Sequence, residues 1–262
     1  VVFLVSGAQA KPVAVVKTIV GNAFVFSKVS FTKLTAGKMI EDFSEVTTEV
    51  GAQVTLSDYY DRYYHLSGSG NVKFLNKMLE LKSGYLWVQS LTDNSQAVIK
   101  TSNSQIKFSG GEAIISYEQI SERTQCLVID GQFNISNIEY PSQEEEIRSG
   151  MFSLVDKEYE HGIPRKQTPI GKSSFTKVLS LYEGIKPLKK DFFLNQEKRN
   201  SLRGKSRKPA SLEGEEKDYN GGLFGFQEKA LLQASGKKSK PGKKVVKSVK
   251  KLKKVPINIY SF

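Results

Sequence analysis

An all-β fold is predicted for this chain: a short-stranded antiparallel sandwich or solenoid-like sheet, followed by a largely disordered basic tail. Three observations predict it. Short runs rich in Val, Ile, Thr, Phe and Tyr recur from Val13 to about Val155, several alternating apolar with polar residues. Gly, Asn, Asp and Ser punctuate them, with no helical periodicity between. Charge then divides the chain. Residues 186–262 carry 21 Lys+Arg against 7 Asp+Glu, a formal +14, and the preceding residues carry 18 against 20, a formal −2. The overall +12 therefore belongs to the tail, and so does any attraction to polyanions.

The runs, in order, are VAVVKTIV, NAFVFSKV, SFTKL, VTTEV, QVTL, VKFL, MLEL, YLWVQS, AVIKT, QIKFS, EAIISYE, QCLVID and QFNIS. Turns are expected at Val20-Gly21-Asn22, Ala36-Gly37-Lys38, Gly68-Ser69-Gly70-Asn71, Ser83-Gly84, Ser109-Gly110-Gly111 and Asp130-Gly131-Gln132. LTDNSQAV supplies one longer connection. A glycine opening an alternating run recurs in GNAFVF, GYLWVQ, GEAIIS and GQFNIS, too degenerate for a sequence repeat.

After Asn137 the texture changes. Glu144-Glu145-Glu146 reads as a solvated turn rather than a metal site, and MFSLV as a strand. Thr176 to Tyr182 is expected to form one or two helical turns capped by Ser173 or Ser174, and the ordered domain to end near Leu181. From about Lys186 the composition is too polar to offset chain entropy. It is broken by an apolar island, Leu223, Phe224, Phe226, Leu231 and Leu232, and ends in a lysine run. There Val245, Val249 and Leu252 recur at helical spacing, so a short amphipathic helix on a polyanionic surface stands beside a disordered tail as a reading.

The amino terminus, VVFLVSGAQA, reads as the remnant of a signal peptide ending in the A-x-A pattern Ala8-Gln9-Ala10, with mature sequence from Lys11; the alternative is a first strand. The expected divisions are residues 1–10, a β-module over 11–140, an extension over 141–185 and the basic tail over 186–262. No other apolar run approaches the ~18 residues of a membrane span. The single cysteine, Cys126, lies in the apolar run QCLVID and reads as a buried strand residue; one cysteine makes no intrachain disulfide.

No catalytic motif appears: no G-x-S-x-G, phosphate loop, H-E-x-x-H or C-x-x-C. The two histidines, His65 and His161, lie far apart, and neither a metal nor a cofactor is implied. Asp58 and Asp61 form a carboxylate pair without a recognisable pocket. The candidate contact surface is the aromatic cluster Tyr59, Tyr60, Arg62, Tyr63, Tyr64 and His65, whose rings with polar tips suit sugars and proteins. The competing reading is a strand whose alternate tyrosines pack on the core, with Asp61-Arg62 at a turn. Trp87 and Tyr85 share one face of a strand. The candidate polyanion-binding residues are Lys237, Lys238, Lys240, Lys243, Lys244, Lys247, Lys250, Lys251, Lys253 and Lys254.

Residues 13 to about 137 resemble the FecR domain of exported bacterial proteins. The segments that carry the resemblance are VVKTIVGNAFVF, LTAGKMIEDFSEVTTEVGAQVTL, YHLSGSGNVKF, LELKSGYLWVQS, IKTSNSQIKFSGGEAIISY and TQCLVIDGQFNISN. The resemblance covers about half the chain and rests on Gly/hydrophobic patterns. It implies an all-β periplasmic module without enzymatic activity and without catalytic residues to carry over. In iron-transport regulators such a domain lies periplasmic to a transmembrane helix and relays receptor state to a sigma factor; this sequence has no internal membrane span.

The leading functional expectation is a non-enzymatic periplasmic or envelope module. Its β-part contacts an envelope protein or glycan, and its tail is drawn to anionic polymer or lipid head groups. Lys outnumbers Arg in the tail, which suits diffuse charge attraction. The alternatives are a signalling regulator of the iron-uptake type, which needs a membrane anchor, and a cell-wall hydrolase, for which no nucleophile stands out. Export argues against nucleic acid, although a lysine tail binds any polyanion.

Overall fold

The computed structural model describes residues 11–188, apart from 29, 76, 77, 93 and 94. The expected signal remnant and the lysine run with its candidate residues Lys237 to Lys254 lie outside the described residues. Strand follows strand: β1 (Pro12–Val20), β2 (Ala23–Phe26), β3 (Phe31–Lys33), β4 (Met39–Glu41), β5 (Glu45–Thr48), β6 (Gln53–Asp58), β7 (Arg62–Leu75) and β8 (Met78–Ser90). Then come β9 (Ala97–Lys100), β10 (Ser104–Glu118), β11 (Arg123–Asn137), β12 (Glu144–Arg148), β13 (Met151–Asp156), a 3-10 turn (Glu160–Gly162), β14 (Thr168–Pro169) and, as the one α-helix among the described residues, α1 (Lys172–Leu179). The fold is all-β. Pairing is antiparallel throughout except between β8 and β9.

Four strands run for 13 to 15 residues, longer than the short strands expected. Several glycines read as turns sit inside them as bends. The loops expected at 68–71, 83–84, 109–111 and 130–132 are therefore corrected to mid-strand kinks, each at a place where the partner strand changes. The amino-terminal half of β7 pairs with β6 and its far half with β5. The far half of β8 pairs with β10, its near half with β9. The near half of β11 pairs with β13 and its far half with β12.

The bends need glycine for two reasons. Gly111 has φ +101, in the left-handed region where a side chain strains the backbone, and a Cβ there would stand 2.4 Å from the Asp130 carbonyl oxygen. Gly84, at φ +85, would carry its Cβ to 2.5 Å from the Gly70 Cα. Such close strand approaches locally increase bend and twist.

Two arms of one sheet result. The first contains β4, β1, β6, the near half of β7, the far halves of β8 and β10, the near half of β11, β13 and β14. The second contains β3, β2, β5, β9, β12 and the remaining halves of the long strands. Both arms feed one core. Val54, Leu56, Leu66, Leu86, Ile115 and Cys126 from the first meet Val46, Leu81, Ile99, Ile106, Phe133 and Ile135 from the second. Cys126 is fully buried, and burial pushes its thiol pKa up, so it serves as a small apolar side chain.

The acidic run is a correction: Glu144–Arg148 is strand β12, not a turn. It lies at a sheet margin, where Ile147 enters the core while Glu144 reaches Lys107 (3.4 Å) and Glu146 reaches Arg148 (2.6 Å). The extension is continuous with the β-module, because β12 and β13 both pair with β11. The helix also departs from expectation. It begins at Lys172 with Gly171 as N-cap and no side-chain cap, so Ser173 and Ser174 lie inside it rather than capping it. Its end tightens through bonds from Leu181 N to Val178 O and Tyr182 N to Leu179 O.

α1 covers the outer face of the first arm. Phe175, Val178 and Tyr182 pack with Tyr85, Trp87, Ile114, Leu127, Ile129 and Ile170 in a second apolar cluster. Burying a side chain such as Phe175 or Val178 contributes on the order of 1.5–3 kcal/mol.

Candidate contact cleft

A cleft of about 630 Å³ opens between the turn after β6 and the beginnings of β1, β8 and β9. Its wall is built on Asp58, the last residue of β6. Asp58 Oδ1 accepts the backbone N–H of Tyr60 (2.8 Å) and of Arg62 (3.1 Å), which closes the Tyr59–Asp61 turn. Oδ2 accepts the Tyr64 hydroxyl (3.0 Å) and faces Arg62 Nη1 at 3.6 Å. Asp61 takes φ +57 in the turn, a conformation Asp tolerates better than most residues.

Arg62 is 4% exposed. Its guanidinium donates through Nη2 to the Ser95 carbonyl and hydroxyl, and it lies 5.0 Å from the Tyr60 ring centre and 5.9 Å from that of Phe108. Its Nε is buried without a partner among the described residues. Burial first, then the Asp58 charge, pushes the Tyr64 hydroxyl pKa well above its ordinary value, so this hydroxyl stays a donor. Arg62 and Tyr64 thus brace the wall. Tyr59 (68% exposed) and Tyr60 (49% exposed) stand at the rim.

The aromatic cluster is therefore split three ways by strand alternation. Tyr59 and Tyr60 face solvent; Arg62 and Tyr64 line the cleft wall and are buried; Tyr63 and His65 point to the opposite face of β7. There His65 Nδ1 meets the Thr55 hydroxyl (2.9 Å) and Nε2 meets Gln89 Oε1 (3.0 Å). Desolvation lowers its pKa to about 4 in spite of the Gln89 bond, so the ring is neutral at pH 7.

Sequence reasoning passed over Glu112, which has no exposed surface. Its Oε1 accepts Trp87 Nε1–H (2.9 Å) and Gln89 Nε2–H (2.8 Å), and its Oε2 accepts the backbone N–H of Leu188 (3.0 Å). Burial raises its pKa and these donors oppose the rise. The one signal in the sequence was slight: an acid beside a glycine pair, directly ahead of the apolar run Ala113–Ile115. Among the described residues, no group of three or more His, Cys, Asp or Glu is placed to hold a metal ion. Nor is any helix there long and apolar enough to cross a membrane.

No family model matches the chain, and no curated protein matches it. Two crystal structures, each of a putative anti-sigma factor from Parabacteroides distasonis, are similar to it at 13% identity, with TM-scores of 0.45 and 0.44. The alignments cover 52% of this chain and 63% and 64% of those chains, less than two thirds of their length.

Proposed function

We propose that this chain is a non-enzymatic, FecR-like β-module of the bacterial envelope. Its cleft contacts an envelope glycan, and its basic residues 186–262 are drawn to anionic polymer or lipid head groups. One observation carries the first part: Tyr59 and Tyr60 are held open to solvent, on a turn fixed by Asp58, at the rim of a cleft of about 630 Å³. Exposed aromatic faces beside fixed polar groups suit a sugar ring, and the volume lies within the usual range of ligand sites. The lysine-rich composition supports the second part. Export from the cell belongs to the same proposal and rests on the A-x-A pattern at Ala8 to Ala10.

The test is sedimentation of the full chain with purified cell-wall sacculi, once at low salt and once at a salt concentration that screens the lysines. The double variant Tyr59→Ser, Tyr60→Ser is expected to lose most of the salt-resistant binding while unfolding at the parent's denaturant midpoint. Unchanged salt-resistant binding in that variant would remove the cleft from the proposal and leave an envelope protein as the remaining partner.

A further inference from the structure

The outer face of the first arm carries a groove that reads backbone, and the chain fills it with its own residues. Three cross-strand rows define the floor: Gln53, Ser67 and Tyr85; then Thr55, His65, Trp87 and Ile114; then Ser57, Tyr63, Gln89 and Glu112. The segment from Leu181 to Leu188 crosses these rows. The Ser67 hydroxyl donates to the Leu181 carbonyl (2.8 Å) and Gln53 Nε2 to the Glu183 carbonyl (3.5 Å). Gln89 Nε2 donates to the Lys186 carbonyl (2.9 Å), and Leu188 N–H donates to Glu112 (3.0 Å). Floor side chains therefore bond backbone atoms of the segment at four positions. Such contacts are indifferent to the segment's own side chains.

One side chain supplies the anchor. Tyr182 is 3% exposed and stands edge-on to Trp87, with ring centres 5.1 Å apart. Its fit is incomplete. The Tyr182 hydroxyl and Gln53 Oε1 are both buried without a hydrogen-bond partner among the described residues. A buried hydroxyl left unpaired is costly, whereas a phenyl ring in its place loses no bond.

We propose that this groove is a docking site for a short, turn-forming peptide segment with an aromatic anchor, phenylalanine preferred, and that residues 181–188 are its resident occupant, displaced when a partner segment binds. The partner's chemistry is given by the occupant: a turn over the first four positions, as at Leu181 to Gly184 with Gly184 at φ +74, carbonyls offered at the first, third and sixth positions and an N–H at the eighth, with the anchor at the second. This inference depends on neither the cleft nor the tail, so its failure leaves the reading above standing.

Trp87 is the chain's single tryptophan, and it forms the groove floor. Its emission therefore reports whether the segment is seated. In the full chain, Tyr182→Ala is expected to shift Trp87 emission to the red and to raise acrylamide quenching, with the far-ultraviolet circular dichroism of the sheet and one cooperative unfolding transition retained. Synthetic peptides of residues 181–188 are then added in trans. The peptide with Tyr182→Phe is expected to restore the protected emission and to bind about fivefold more tightly than the native peptide, a ratio of ~1 kcal/mol for the relieved hydroxyl. The peptide with Tyr182→Ala is expected not to bind. Two results overturn the proposal: Trp87 still protected in the variant with no peptide bound, or loss of the sheet's dichroism together with the protection, which makes the segment integral to the core. Binding of the alanine peptide as tightly as the phenylalanine one would also refute the anchor.

Discussion

His65 and Glu112 are tied to one another through Gln89, and their pKa values are displaced in opposite senses as stability contributions. Desolvation lowers His65 from 6.5 to about 4, so between those values the unfolded chain holds a proton that the folded chain does not. Stability from this group is complete above pH 6.5 and is lost as pH falls through the folded value near 4. Burial raises Glu112, whose contribution is present at low pH and is lost as pH rises through its folded pKa. Comparing the parent with His65→Gln at each pH isolates the histidine. From pH 7 to pH 5 the parent is expected to lose about 2 kcal/mol more than the variant in urea unfolding, since one pKa unit is worth about 1.4 kcal/mol. Equal losses would mean that His65 is solvated in the folded chain.

The same residues mark what a sequence discloses at this scale. The cluster from Tyr59 to His65 was legible as chemistry, because few segments hold so many aromatic rings. Its division was not, because alternation assigns faces only once the strand's start is known, and β7 starts at Arg62, inside the cluster. Glu112 was illegible for a related reason. A buried acid is defined by donors that arrive from β8 and from residue 188, both remote in sequence.

At the scale of the element, glycines decide the fold. In β7, β8, β10 and β11 they bend a continuous strand and hand it from one set of partners to another. A hairpin glycine and a bend glycine share one local signature, positive φ beside an alternating run, and the distinction lies in what crosses them in space. The apolar alternation on either side was read correctly, and so the strands were found in pieces. Gly37 and Gly111 make the comparison testable. Both have positive φ, +82 and +101, but a Cβ at Gly37 meets nothing within 4 Å, whereas at Gly111 it meets Asp130. Gly37→Ala is expected to cost about 1 kcal/mol from backbone strain alone. Gly111→Ala should cost clearly more, as read by the urea midpoint. Equal costs would show that the bend absorbs a methyl group freely.

Over the whole molecule, the sheet's two arms share one core, and the extension closes the outer face with α1 and the segment that follows it. The all-β class was readable from composition and periodicity. The seating of the extension was not, since Phe175, Val178 and Tyr182 find most of their partners on β8, β10 and β11, remote in sequence. Charge is partitioned as the sequence states, with residues 1–185 at a formal −2 and residues 186–262 at +14. A lysine near an anionic surface contributes on the order of 1 kcal/mol, and exposed charges are screened beyond about 8 Å at physiological salt. Attachment through the tail should therefore be steeply salt-dependent, and removal of its lysine run should spare the β-body.

The measurement that tests this division most directly is sedimentation with anionic vesicles of the full chain and of a chain lacking residues 237–254, each at low and high salt. The full chain is expected to bind at low salt and to be released at high salt. The shortened chain is expected to remain largely in the supernatant at both, with the parent's unfolding midpoint. Equal binding by the two chains, or binding by the full chain that salt leaves unchanged, would contradict attachment by the tail.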